Sequence, residues 1–321
     1  MTGQAGNKVA LIGECMLELQ GQAFGQMQQS YGGDTLNTAV YLARCGARDG
    51  LQVAYATGLG EDTLSTGLMQ RWAAEGLDLS LVRRIPGRMP GLYLIEVDAQ
   101  GERSFSYWRD TSAARAYFEA ESTPLEATTG QWDALYLSGI SLAILPPAGR
   151  ERLFALMQQL RGRGAAVVFD NNYRPRLWPD IAEARRCYAR AYELASIALV
   201  TADDHQALLG LQSLNEGVAA AQDLPPPELV IKRGAASTLV REPGGGWQEA
   251  PTVPVERVVD TTAAGDSFAA GYLSQRLLGA SALDAARLGN QLAARVIQHR
   301  GALIAPELMA DLLGQAPSTP R

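Results

Sequence analysis

Residues 260–266 read DTTAAGD and run directly into an apolar-periodic stretch that predicts a helix over 264–278. Small residues at Ala263, Ala264 and Gly265 leave consecutive backbone N–H groups uncluttered. A helix N-terminus adds partial positive charge at the same place, so the turn makes a hole for a phosphate. Asp266 is then a carboxylate beside a bound anion. It is out of place as an anion ligand but suits a general base for a substrate hydroxyl in phosphoryl transfer. The same residues also read as an ordinary helix start, in which Asp266 caps the helix and the alanines only pack.

Three further groups of residues point to ligands. GGDTLN at 32–37 places Asp34 and Asn37 at the start of a predicted helix over 35–45. Together they offer acceptors and donors to hydroxyl groups, and alone they are a helix start capped by Asp34 or Thr35. DNNYRPRLW at 170–178 follows the apolar run AAVVF, so Asn172 and Arg174 emerge at the carboxyl end of a strand, where open α/β sheets bind ligands. YWR at 107–109 sits on a predicted hairpin. Arg109 and Arg174 reaching one site from opposite sides suit a substrate carboxylate, because the guanidinium fork binds carboxylates bidentately. The plainer reading leaves Arg109 solvated on its strand and Arg174 paired with a nearby acid.

These residues need a frame. Short β-branched runs at 9–13, 53–57, 134–138, 165–170, 197–201, 228–232 and 238–241 alternate with helical patterns at 35–45, 63–75, 149–163, 181–194, 264–278 and 283–299. That alternation predicts an α/β fold with a mostly parallel sheet covered on both faces. Residues 91–109 break it: two alternating segments around Asp98 to Gly101 predict a hairpin. Residues 15–29 are also strand-like. The two excursions, about 14–33 and 89–112, are expected to form a small β-sheet lid on a single domain spanning 1–321.

The chain has 321 residues, 47% of them hydrophobic, enough to bury a substantial core. With 28 Lys and Arg against 34 Asp and Glu, the formal charge of −6 gives no general attraction to nucleic acid or anionic membrane. No apolar run near the start is long enough for a signal-peptide core, and none approaches the roughly 20 residues that span a bilayer, so a cytoplasmic protein is expected. Cys15, Cys45 and Cys187 fit neither a disulfide framework nor a zinc spacing. His205 and His299 are expected to be structural. Apolar lid surface is expected to be covered by a second copy.

The DTTAAGD turn resembles the D-T-x-G-A-G-D signature of the ribokinase, or PfkB-type, carbohydrate kinases, with Ala263 where the family usually has Gly. The GGDTLN segment resembles the same family's G-G-x-x-x-N element. Further matching segments run from Val9 to about Pro306 and look most like the members that phosphorylate a six-carbon 2-keto-3-deoxy sugar acid at its terminal hydroxyl. The resemblance implies a ribokinase-like three-layer α/β/α core, with ATP and Mg²⁺ as cofactors. It implies Asp266 as base, and an anion hole of Ala263, Ala264 and Gly265. Gly33, Asp34, Asn37 and Asn172 would hold the sugar, with Tyr93, Tyr107 and Arg109 at its acid end. Arg174 would bridge substrate and phosphate, and Lys232, Gly234 and Asn290 would contact the nucleotide. The family's N-x-x-E magnesium element is replaced here by Ala202-Asp-Asp-His205, which leaves Asp203 or Asp204 to organise the ion and no metal ligand assigned. A kinase for fructose, ribose or a nucleoside, or a sensor without turnover, are the competing readings.

Overall fold

The computed structural model describes residues 7–22, 24–97 and 103–313. Thirteen strands appear in chain order among them: β1 (Lys8–Ile12), β2 (Met16–Gly21), β3 (Met27–Gly32), β4 (Gln52–Leu59), β5 (Val82–Arg84), β6 (Gly91–Val97), β7 (Arg103–Trp108), β8 (Ala134–Ser138), β9 (Ala166–Asp170), β10 (Ile197–Thr201), β11 (Glu228–Arg233), β12 (Ala236–Arg241) and β13 (Gln248–Ala250). The α-helices are α1 (Asp34–Gly46), α2 (Thr63–Ala74), α3 (Pro124–Ala127), α4 (Gly139–Ile144), α5 (Pro147–Gly162), α6 (Ile181–Leu194), α7 (Ala202–Leu209), α8 (Leu214–Gln222), α9 (Ala264–Arg276) and α10 (Ala282–Val296).

Nine strands form one sheet in the order β13-β12-β11-β10-β9-β8-β1-β4-β5. Every pairing from β11 to β5 is parallel, and β12 and β13 close one edge antiparallel. Between their ends the central strands are mostly apolar because both faces are covered. Successive residues of β1 show it: Val9 and Leu11 join a core shared with α1, α9 and α10, whereas Ala10 and Ile12 join one shared with α5 and α6. The fold is therefore a three-layer α/β/α arrangement, as the sequence pattern predicts. On the first face the backbones of α9 and α10 come into contact. A Cβ on Gly271 would lie 3.0 Å from Gly289 Cα, so both positions need glycine for close approach rather than for their backbone angles. The same face buries Trp72 completely, edge-on to Tyr55 at 5.4 Å. Truncating such a ring costs about 3–5 kcal/mol.

The second sheet has the order β3-β2-β6-β7, with β2 and β6 parallel and the outer pairs antiparallel. These are the two excursions expected as a lid; the hairpin turn from Asp98 to Gly101 lies outside the described residues. The short elements β5, β13, α7 and α8 carry no usable periodicity in sequence. For α8 a capping signal was present, since Ser213 accepts a hydrogen bond from the Glu216 N–H. Among the described residues no helix is long and apolar enough to cross a membrane, and the three cysteines are free.

Candidate active site

The parallel strands deliver their polar residues at one edge. Asp170 ends β9, Thr201 ends β10 and Lys232 lies near the end of β11. Helices α1, α7 and α9 begin at the same edge, and none of the three has a side-chain cap. By contrast, α2, α6, α8 and α10 are capped by Asp62, Asp180, Ser213 and Ser281. First-turn N–H groups without a side-chain acceptor are donors left for a ligand. The N-cap of α9 is Ala263, in the left-handed region at φ 61°, ψ 15°. Asp266 therefore does not cap its helix, nor does Asp34 or Thr35 cap α1, whose N-cap is Gly33.

A cleft of about 570 Å³ opens over this edge. Gly33, Asp34, Asn37, Asn172, Arg174, Lys232 and the turn from Ala263 to Asp266 line it from the core, and Tyr93 and Tyr107 line it from the smaller sheet. Asn37 Nδ2 donates to Asp266 Oδ2 at 2.8 Å, and Asn172 Nδ2 donates to Asp34 Oδ2 at 2.7 Å. Asn37 Oδ1 is buried with no hydrogen-bond partner, an acceptor suited to a ligand hydroxyl. Gly33 is extended at φ 174°. It must be glycine because a Cβ would fall 2.1 Å from the Glu14 carbonyl oxygen.

Three carboxylates and one ammonium dominate the floor. Lys232 Nζ donates to Asp170 Oδ2 at 2.9 Å, with the side chains only 11% and 6% exposed. Burial pushes Asp266 up to about 7, helped by the charges of Asp34 and Asp170 and opposed by the Asn37 hydrogen bond and Lys232. Burial also raises Asp34. A carboxylate that ionises near neutrality can take a proton and release it within one cycle.

The smaller sheet carries a different set of contacts. Tyr93 and Tyr107 are directly paired on β6 and β7 and stack at 5.8 Å. Tyr93 OH donates to Glu18, which also accepts from Ser30 Oγ at 2.9 Å. Arg109 does not line this cleft. It lines an adjoining cavity of about 1070 Å³, which shares Met16, Phe105, Tyr107, Ile140 and Arg174 with the first. Its Nη2 donates to Glu14 in an ion pair with side chains 9% and 1% exposed, while Arg109 Nε and Glu14 Oε1 stay buried without partners. Arg174 makes a longer pair with Asp204 at 3.3 Å, and Asp204 also accepts the Tyr173 N–H at 3.2 Å.

Two nucleotide-side expectations fall elsewhere. Gly234 occupies the β11–β12 turn at φ 61°, off the cleft lining. Asn290 is buried: it accepts from Thr238 Oγ1 at 3.0 Å and donates to the carbonyls of Ala250 and Pro251, so its amide ties α10 to β12 and the end of β13. Sequence reasoning gave no role to Asp170, Tyr136 or Glu14. Asp170 carried a signal, as the first polar residue after an apolar strand.

The pfkB family carbohydrate kinase model matches residues 7–308. The 2-dehydro-3-deoxygluconokinase of Escherichia coli strain K12 is 48% identical over 305 residues, covering 94% of this chain and 98% of the relative. The Haemophilus influenzae protein of the same name is 42% identical over 299 residues, covering 92% and 95%. Among solved structures, a PfkB protein from Polaromonas sp. JS666 superposes with a TM-score of 0.79 at 28% identity, covering 95% of this chain and 99% of that one. The chain, carrying an Asp266 turn and an Asn37 turn that meet in one cleft, is a member of the PfkB family of carbohydrate kinases.

Proposed function

We propose that this protein transfers the γ-phosphate of ATP to the terminal C6 hydroxyl of 2-dehydro-3-deoxy-D-gluconate, giving the 6-phosphate. The observation that carries the reading is the place of the Asp266 carboxylate, held by Asn37 in the first turn of an uncapped helix. The identity to named 2-dehydro-3-deoxygluconokinases over nearly the whole chain supports the choice of substrate.

Asn37 and Asp34 bind sugar hydroxyls and aim the terminal one at Asp266. As the hydroxyl oxygen bonds to the γ-phosphorus and the bond to the ADP oxygen breaks, the proton passes to Asp266. The N–H groups of Gly265 and Asp266 bind the negative charge that develops, while that of Ala264, expected to share the role, donates to the Thr261 carbonyl at 3.2 Å; Lys232 neutralises part of the charge. Tyr93 and Tyr107 cover the sugar and exclude water. Tyr107 and Arg174, where cleft and cavity join, receive the acid end, with Arg109 behind them in the cavity. Magnesium, when bound with the nucleotide, supplies charge neutralisation between the phosphates. Asp203 and Asp204 fit it, because Mg²⁺ needs only one or two carboxylates beside phosphate oxygens and water. On the outer strand of the lid, Trp108 is 59% exposed on the face opposite Tyr107, which supports self-association through this sheet.

The test is magnesium- and ATP-dependent ADP release across 2-keto-3-deoxygluconate, gluconate, fructose, ribose and adenosine. Saturable release with the keto-deoxy acid alone is the expected result. Release with fructose or ribose instead overturns the substrate, and release with none of the panel favours a sensor.

A further inference from the structure

Asp170 belongs to neither the sugar turn nor the phosphate turn, yet it stands between them. Its Oδ2 accepts from Lys232 Nζ at 2.9 Å and from Tyr136 OH at 3.4 Å. The same Nζ lies 3.6 Å from the point where a Cβ on Gly265 would project, so the ammonium sits over the glycine of the anion hole. Lysine is a flexible point charge on four carbons and does not hold such a position unaided. The titratable groups around the pair come from five elements: Tyr136 from β8, Asp34 from α1, Tyr188 and Tyr192 from α6, Asp204 from α7 and Asp266 from α9.

We propose that Asp170 is a positioning residue for phosphoryl transfer: it anchors the Lys232 ammonium over the turn from Ala263 to Gly265, where the transferring phosphate arrives. It acts through Lys232 and touches neither substrate. The proposal rests on the reading of Asp266 as base and of Lys232 as the cation on the phosphate side. Its second consequence is electrostatic. Asp170 is one of the negative charges that hold Asp266 protonated to higher pH, whereas Lys232 works in the opposite direction.

The experiment is a double-mutant cycle on the full-length protein with Asp170→Asn and Lys232→Met, read as kcat, KM for ATP and the acid limb of kcat/KM. Each single variant is expected to lose about 10- to 100-fold in kcat through misplacement of the ammonium, and the double variant no more than the worse single one. The acid limb should move to lower pH in Asp170→Asn and to higher pH in Lys232→Met, by about one unit each. A purely structural Asp170 would lower kcat additively in both backgrounds and leave the limb in place, and that result overturns the proposal. Thermal melts of all four proteins separate loss of folded enzyme from loss of turnover per folded molecule. The cycle is run with whichever sugar of the panel turns over, so a wrong substrate assignment leaves its outcome intact.

Discussion

Asn37 and Asp266 stand 229 residues apart in sequence and are joined by one hydrogen bond of 2.8 Å between the first turns of α1 and α9. The helix that begins in the GGDTLN turn is thereby tied to the helix that begins in the DTTAAGD turn. On the proposed reading, a sugar hydroxyl bound by Asn37 would lie next to the Asp266 carboxylate.

If Asp266 is the base, as proposed, it must be ionised to act, so kcat/KM should rise through pH 7 and fall about tenfold per unit below it. Asp266→Asn should keep ATP and sugar-acid affinity within several-fold while turnover falls about 10²- to 10⁴-fold. Undiminished turnover would remove the base role. Because the folded carboxyl holds its proton above the ordinary range, the folded state binds more protons than the unfolded one between about pH 4 and 7, and stability falls as pH rises through that window. At pH 8 the Asn variant should therefore melt higher than the wild type, and at pH 4 the difference should vanish. Differential scanning calorimetry at the two pH values checks the sign.

Ala263 holds a left-handed conformation at φ 61°, a region that costs a residue with a Cβ about 1–2 kcal/mol. Glycine removes that strain and returns part of the gain through a more flexible unfolded chain. Ala263→Gly should raise the melting temperature by about 2–4 °C with turnover retained. A lower melting temperature would mean that the turn is not strained.

The Arg109–Glu14 pair joins the end of β7 to the link between β1 and β2. Glu14→Ala leaves a buried guanidinium without its counter-ion and should destabilise the protein by about 3–5 kcal/mol, measured by urea unfolding. Adding Arg109→Leu should recover part of that loss, because the stranded charge is gone. Arg109→Gln should raise KM for the keto-deoxy acid about tenfold or more and leave KM for ATP unchanged. An unchanged preference between acid and neutral sugars would detach Arg109 from substrate selection.

By the resemblance, His205 takes the place of the Glu in the N-x-x-E element, and it begins the second turn of α7. It is buried, both ring nitrogens lack partners, and burial lowers its pKa to about 4. The ring is neutral at working pH. His205→Leu should leave turnover within about twofold and raise stability, since two unsatisfied buried atoms are removed. With the folded pKa depressed, the unfolded chain binds the extra proton between about pH 4 and 6.5, so wild-type stability falls as pH drops through that window. The Leu variant should lose this part of the acid sensitivity, as melting curves from pH 4 to 7 will read out.

Much of the frame was legible in the sequence, for identifiable reasons. The strand expected at 197–201 is Ile197–Thr201, and the helix expected at 181–194 is Ile181–Leu194. Central strands covered on both faces must be apolar along most of their length, and amphipathic helices must repeat every 3.6 residues, so both leave a local record. The helix that starts after Ala263 was legible in the same way, since the apolar period expected over 264–278 appears as Ala264–Arg276.

The partners of the charges were decided by tertiary structure alone. Asp170 meets Lys232 only because β10 separates β9 from β11 in the sheet and all three run parallel. Arg109 reaches Glu14, 95 residues away, because β6 pairs parallel to β2 and β7 returns antiparallel beside it. Asn290 sits on the expected helix but faces Thr238 and the Ala250 carbonyl instead of the cleft. Backbone conformation and hydrophobic period are set by near neighbours in the chain. Which charge neutralises which is set by strand order and helix facing, through packing between segments tens to hundreds of residues apart.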